Sequence, residues 1–489
     1  MIKKIPISII VILLGFFLSL IISINNLNKY DKNIGDHLSG YHQMIKFNSL
    51  RNMSGGAKIK DDLENGISFL KAGPEGLTKY LPSRISAAYY YFFDIDLKNK
   101  KNHNMINTGV HLPYLIIQSF FYFFCLTLLY LTVKKKFNKK ICFFIFLFLS
   151  LEPTIFQYHG TFWSESYFFS FQFLLIALIL KPKLKIRTFF LIGILLAILS
   201  MQKEVAMFYI IPVIIYFSFF LKQYKIKNFL SLIIGFIIIQ SFVGFNNYIR
   251  SGTFYIMPST TKTDLHQLVV TPVMSKKLNI TTTEFETLEG KVALNWINKN
   301  SITLSEVKFR DQDNGDKNQN IIKFSSIKDP GFMIYRFYII DESDRIKFDE
   351  FIQKRTFKYI VDYPIDFLNL TINNSIHILL LNPFHIYSDH NYISSEIYYL
   401  STEHDKFIPY RIFYTLAIFL ICLVGLIQLI RKKEYKLLTY LILSILYFYI
   451  GISWSGNTRY FLPSFIYFSF FFAVGMDKLI YYKKVNSSR

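Results

Sequence analysis

Apolar positions along this chain come in blocks, not at alternating or helical spacing. Ten stretches are apolar throughout, roughly residues 5–24, 112–133, 141–156, 162–180, 188–201, 206–221, 229–245, 408–430, 437–453 and 460–481. Crossing about 30 Å of hydrocarbon takes about 20 apolar residues in a helix. The pattern therefore predicts an all-α polytopic membrane protein with about ten transmembrane helices. Two long polar segments interrupt it, residues 25–111 and 246–407. The first is punctuated by Gly55-Gly56 and Gly73-Pro74, which predicts short helices along the membrane in place of an independent domain. The second holds the apolar run Val292–Trp296 and a charged middle at Asp311–Lys317, and reads as a small cap or a partly ordered loop.

Residues 363–384 are the ambiguous element, because the apolar run Phe367–Leu381 is interrupted by Asn369, Asn373, Asn374 and His377. A crossing there would break the charge pattern described next, so the segment is expected to be an interfacial amphipathic helix. The organisation that follows is residues 1–245 as a transmembrane module with the 25–111 loop, 246–407 as a large extracytoplasmic loop, and 408–489 as the closing helices.

Charge then fixes an expected orientation. The connectors 134–140, 181–187, 222–227 and 431–436 together hold sixteen Lys or Arg, whereas the alternate short connectors hold only Lys203 and Arg459. By the positive-inside rule both termini are cytoplasmic and the long loops lie outside, in a plasma (inner) membrane. The net charge of +22 is spread through these connectors and the two long loops, which points to anionic lipid groups and not to nucleic acid. Met1–Ile24 has a basic start and a long apolar run with no small-residue cleavage site, as a retained anchor does. The three cysteines all fall in apolar blocks and suggest neither a disulfide framework nor a zinc site.

Candidate chemistry collects on the expected outer side. Asp36 stands in Gly35-Asp-His-Leu-Ser-Gly-Tyr41, shortly after the first apolar block. An Asp flanked by Gly commonly caps a turn, but a carboxylate just beyond the hydrocarbon can also meet the head of a lipid-borne substrate. Glu165 ends the run Tyr158-His159-Gly-Thr-Phe-Trp163-Ser-Glu165 and opens the fourth block. There it complements the helix dipole, and a membrane-buried acid is also a functional candidate. Lys79, Arg84, Lys203, Arg250 and Arg459 supply cations on the same side. A guanidinium such as that of Arg459 can grip a phosphate bidentately or snorkel to headgroups. The ten histidines also fall on that side, without the spacing of a helix-borne metal motif, so polar contacts to sugar or phosphate are expected in preference to a metal.

Taken in order, five stretches resemble the GT-C superfamily of integral membrane glycosyltransferases, most closely the branch with aminoarabinose transferases and protein mannosyltransferases. They are Asp36 with Tyr41; the aromatic and basic run from Lys79 to Phe92 with Pro82 and Arg84; Pro153 followed by Ser164-Glu165; Gln202-Lys203-Glu204 ahead of Pro212; and Asn247–Phe254 together with Asn457–Pro463. His37 stands where many members carry a second acid, and Lys203 where many carry Arg. The resemblance implies transfer of a sugar from a polyprenyl-phosphate donor to a lipid, glycan or protein acceptor hydroxyl at the extracytoplasmic face, with inversion. It implies Asp36 as base, Glu165 as its helper, and Tyr41, Lys79, Arg84, His159, Lys203 and Arg459 as substrate contacts. No cofactor is required by this reading, and a divalent metal is left open. A lipid-linked sugar flippase, a polysaccharide polymerase and a non-catalytic assembly partner remain the rivals.

Overall fold

A computed structural model describes residues 5–32, 56–72, 80–95, 108–162, 164–220, 226–256, 265–304, 307–309, 320–322, 335, 339–381, 408–453 and 458–486. Among the described residues it is all-α apart from one short antiparallel strand pair, and each of the ten apolar blocks carries a helix. These are α1 (Ile7–Lys32), α4 (Thr108–Val133), α5 (Lys139–Leu151), α6 (Glu165–Ile179), α7 (Ile186–Gln202), α8 (Ile210–Phe220), α9 (Ile226–Ser251), α14 (Ile408–Arg431), α15 (Tyr435–Ile452) and α16 (Thr458–Asn486). Two further helices, α2 (residues 56–64) and α3 (Tyr80–Phe92), lie between α1 and α4.

The expectation of ten spans needs correction. Among the described residues five helices are long and apolar enough to cross a bilayer, or six when the bent pair Lys139–Leu151 and Pro153–Gly160 is taken as one. The other four apolar blocks form shorter helices. At 1.5 Å rise per residue the 15 residues of α6 reach only about 22 Å. An apolar block is not one unbroken helix where polar residues turn the chain. Glu152 and Pro153 do so after α5, bending the pair by 41°, and the 3-10 turn Gln157–Gly160 does so before α6. The chain is a multi-pass helical membrane protein with fewer full-length spans than its apolar blocks suggest.

Two close approaches show how the bundle packs. A Cβ on Gly425 of α14 would sit 1.8 Å from the Phe471 carbonyl oxygen, and one on Gly475 of α16 would sit 2.1 Å from that of Ile421. Gly193 of α7 and Gly235 of α9 make the same arrangement, with Leu232 and Phe190 carbonyls at 2.0 and 2.4 Å. Small residues let apolar helices touch backbone to backbone, where packing and not water exclusion holds them. One large core then joins α1, α4 to α8 and α14 to α16 through residues such as Tyr122, Phe146, Phe168, Leu196 and Phe465.

The segment after α9 builds a cap with its own two apolar clusters. A π-helical turn (His266–Val270) runs into α10 (Thr271–Leu278), followed by α11 (Thr282–Lys299) and the antiparallel strand pair β1 (Val307–Phe309) with β2 (Asn320–Ile322). Then come α12 (Glu342–Asp362) and α13 (Pro364–Leu379). Thr281 and Glu284 close a capping box at the start of α11, which satisfies two backbone donors reciprocally. Val270, Phe285 and Phe367 form one cluster, and Ala293, Ile297, Phe348 and Ile352 the other. The expected run 292–296 thus lies on a packed helix and not in a loop, and the expected amphipathic segment is α13.

Candidate functional site

Several buried polar residues of the bundle, among them Glu152, Gln157, His159, Glu165, Gln202, Lys203 and Asn246, lie at the end from which the cap emerges. Its centre is the irregular stretch between α5 and α6. Glu152 terminates α5 and caps the single turn Pro153–Phe156: its Oε2 accepts from the Ile155 amide at 3.0 Å, and its Oε1 accepts from Thr154 Oγ1 at 2.7 Å and from the Tyr414 hydroxyl. A carboxylate before Pro at a helix start is a standard capping choice, but here it is 7% exposed and lies within the bundle. Irregular backbone at such depth persists only when its polar groups find protein partners. Gln118 of α4 supplies them, donating to the Thr161 and His159 carbonyls at 3.0 and 3.4 Å.

His159 follows on a 3-10 turn. Its ring is fully buried, 4.2 Å from Tyr122 and 5.3 Å from Phe123 between centroids, with Phe156 on a further side at 5.4 Å. Neither ring nitrogen has a hydrogen-bond partner among the described residues. The residue read from the sequence as a substrate contact is thus packed among aromatic rings.

Glu165 and Lys203 are brought together. Lys203 Nζ donates to Glu165 Oε1 at 2.9 Å, with the two side chains 2% and 0% exposed. The pair links the first turn of α6 to the residue that ends α7, where an extended backbone at Lys203 turns the chain into the 3-10 turn Glu204–Ala206. Phe168 places its ring 5.7 Å from the Lys203 ammonium, and Gln202 beside it is fully buried with no amide partner among the described residues. In a dry bundle such a pair must be complete, since removing one partner strands a charge at a cost of about 3–5 kcal/mol.

Arg84 belongs to the same end by a second route. Its Nη2 donates to Asn246 Oδ1, and the guanidinium lies 4.0 Å from the centre of the Tyr80 ring and 5.7 Å from that of Phe69. Asn246, 1% exposed on α9, also donates to the Leu70 carbonyl at 2.7 Å, tying α9 to the α2–α3 segment. α7 and α9 run in parallel. Ser231 reaches the Ile186 carbonyl and Gln240 the Ala197 carbonyl at 3.1 and 3.4 Å, so continuing the register sets Lys203 near the level of Asn246. Arg84 Nε and Nη1 are buried without a hydrogen-bond partner among the described residues, and no carboxylate there lies within ion-pair distance. Burial lowers its pKa; Tyr80 opposes that shift and nearby Arg250 adds to it. Arg250 itself is held by Glu342 Oε1 at 2.8 Å and Tyr255 at 2.6 Å, joining the bundle end to the first turn of α12.

Of the other residues singled out in the sequence, Asp36, Tyr41 and Lys79 lie outside the described residues, as does Trp163. Arg459 is in the first turn of α16, and only its backbone is described. Among the described residues no three His, Cys, Asp or Glu side chains gather as metal ligands would. Sequence reasoning missed Glu152, Asn246 and Tyr414. Glu152 had a readable signal, an acid directly before Pro inside an apolar block; Asn246 and Tyr414 act through partners far along the chain and had none.

No family model, curated protein or solved structure matches this chain. The functional reading rests on the residues themselves.

Proposed function

We propose that this protein is a membrane glycosyltransferase that moves a sugar from a polyprenyl-phosphate donor to an acceptor hydroxyl at the extracytoplasmic face. The observation that carries the reading is the meeting of Glu165 and Lys203 in a fully buried ion pair. Two residues from separate stretches of the GT-C-like pattern are joined there, at the end of the bundle where Arg84 buries a cation with unused donors.

In this reaction the acceptor hydroxyl attacks the anomeric carbon and gives its proton to the Asp36 carboxylate. The bond from that carbon to the phosphate oxygen breaks, and polyprenyl phosphate leaves. Cations that stabilise the leaving phosphate lower the barrier; Arg84 fits that role, with Lys79 and Arg459 as its expected companions. Glu165, neutralised by Lys203, positions the acceptor or sugar and does not compete for the proton. The donor sugar is taken from the outer leaflet, and both chain termini are cytoplasmic in this account.

One observation favours a second reading. The helix broken at Pro153, with buried polar groups along the break, resembles the discontinuous helices that line transporter sites, as a lipid-linked sugar flippase requires. Purified protein in lipid, incubated with radiolabelled polyprenyl-phosphate sugars, separates the two. The proposal expects release of polyprenyl phosphate that is lost in Asp36→Asn; labelled lipid that crosses the bilayer with no donor consumed points to the flippase.

A further inference from the structure

Helices α12 and α13 present three different rows of side chains along their shared length. One row is buried against the cap, with Thr356, Phe367 and Asn374 among its members. Beside it runs an exposed apolar row: Phe357, Val361, Ile365, Leu368 and Ile372 are 51%, 74%, 70%, 58% and 51% exposed. Next to that lies a polar row of Lys358, Asp362, Asn369 and Asn373, also exposed. A helix fully in water would gain nothing from such an apolar row, and a helix fully in lipid would not carry the polar one. The pattern suits a helix at a water–hydrocarbon boundary.

The far end of α13 locates that boundary. The Ser375 carbonyl accepts from the Tyr449 hydroxyl of α15 at 3.3 Å, and the Leu381 amide donates to Thr415 Oγ1 of α14 at 3.0 Å. Arg411 of α14 donates to the Leu380 and Leu381 carbonyls at 3.1 and 3.3 Å. Thr415 lies two turns inside a helix long and apolar enough to span, so α13 ends within the apolar belt of the bundle. Near that junction α14 also exposes apolar side chains, at Phe413 and Leu416. Exposed Lys354 and Lys358 flank the apolar row of α12 and α13, as cations facing lipid headgroups do.

We infer that this row is sunk in the outer edge of the bilayer, so that the cap rests on the lipid surface and does not stand clear of it. The occupant of the row is the acyl region of the membrane. This holds whether or not the protein transfers sugars.

The test places single spin labels on full-length protein in phosphatidylglycerol-containing nanodiscs, at Val361→Cys, Ile365→Cys and Ile372→Cys and, for contrast, at Lys358→Cys, Asp362→Cys and Asn369→Cys. The native cysteines are buried. Relaxation by oxygen should exceed relaxation by a water-soluble nickel chelate at least several-fold at the first three positions, with the ratio reversed at the other three. Equal, nickel-dominated relaxation at all six would overturn the inference by placing the row in water. Protection of the first three from both reagents would overturn it in favour of a second copy or another protein.

Discussion

Two buried acids in this molecule are handled in opposite ways. Glu165, in the bundle, is met by the ammonium of Lys203 at 2.9 Å, and both ends of the pair are essentially unexposed. Glu289, on α11 of the cap, is met from α12 and from the π-helical turn. Arg355 donates to it bidentately at 2.8 and 2.6 Å, Tyr359 donates at 2.8 Å, and His266 approaches to 3.4 Å while its other nitrogen meets Thr356 at 2.9 Å. Arg355 is 27% exposed, so water reaches the edge of this node. The cap node is a structural staple for helices that have little apolar core to share. The bundle pair lies among helices that already pack through apolar side chains, and a pair of charges is a costly way to hold them together. That contrast is the reason to seek function at Glu165 and stability at Glu289.

The most severe expected effect comes from opening the bundle pair. Lys203→Met leaves the Glu165 carboxylate buried and should cost about 3–5 kcal/mol, read as a large loss of thermal stability in detergent. Glu165→Gln with Lys203→Met should recover most of that loss, because both charges are gone. A single variant as stable as the wild type would show that water already reaches the pair and would break the comparison.

The cap should answer to pH where the bundle does not. Burial alone would raise the Glu289 pKa, but hydrogen bonds from His266 and Arg355 outweigh it and hold it at about 2. Burial lowers that of His266, only partly opposed by Glu289. Both groups bind a proton more readily in the unfolded chain, so both contribute stability at neutral pH that is lost on acidification. The His266 share fades below its ordinary value near 6.5, and the Glu289 share, about 3 kcal/mol, fades as pH falls from about 4.5 to about 2. Limited proteolysis across this range should cut cap segments first, and His266→Asn should remove the earlier step. Cleavage independent of pH would count against the staple.

A smaller effect is expected from Gly475→Ala, whose Cβ would collide with the Ile421 carbonyl. Separating α14 from α16 should cost about 1–3 kcal/mol without touching the cap. Smallest are the caps. Asn138→Ala removes the acceptor for the Ile141 amide at 2.8 Å, and Thr281→Ala opens the capping box on α11; each should cost about 1 kcal/mol, seen by hydrogen exchange only in its own region.

Much of the bundle was legible in the sequence because apolar blocks report burial directly, and all ten became helices. Span lengths were not, since a block reads the same whether its helix runs straight or breaks at Glu152-Pro153. Glu165 and Lys203 were each visible as an ionic residue at a helix end, yet nothing in their spacing announces that they pair across two helix ends. Arg84 was visible as a cation in an aromatic run, whereas its attachment to Asn246 depends on how α3 meets α9. The cap was least legible: His266, Glu289 and Arg355 are three ordinary polar residues until the π-helical turn, α11 and α12 bring them together.

The most direct test of the central claim uses the paired variant Glu165→Gln/Lys203→Met in the donor-consumption assay, after its melting and helicity are shown to match the wild type. A functional pair predicts that a folded protein releases polyprenyl phosphate at least a hundredfold more slowly. Release at the wild-type rate from that variant would contradict the assignment and return Glu165 and Lys203 to the same structural role as the Glu289 node.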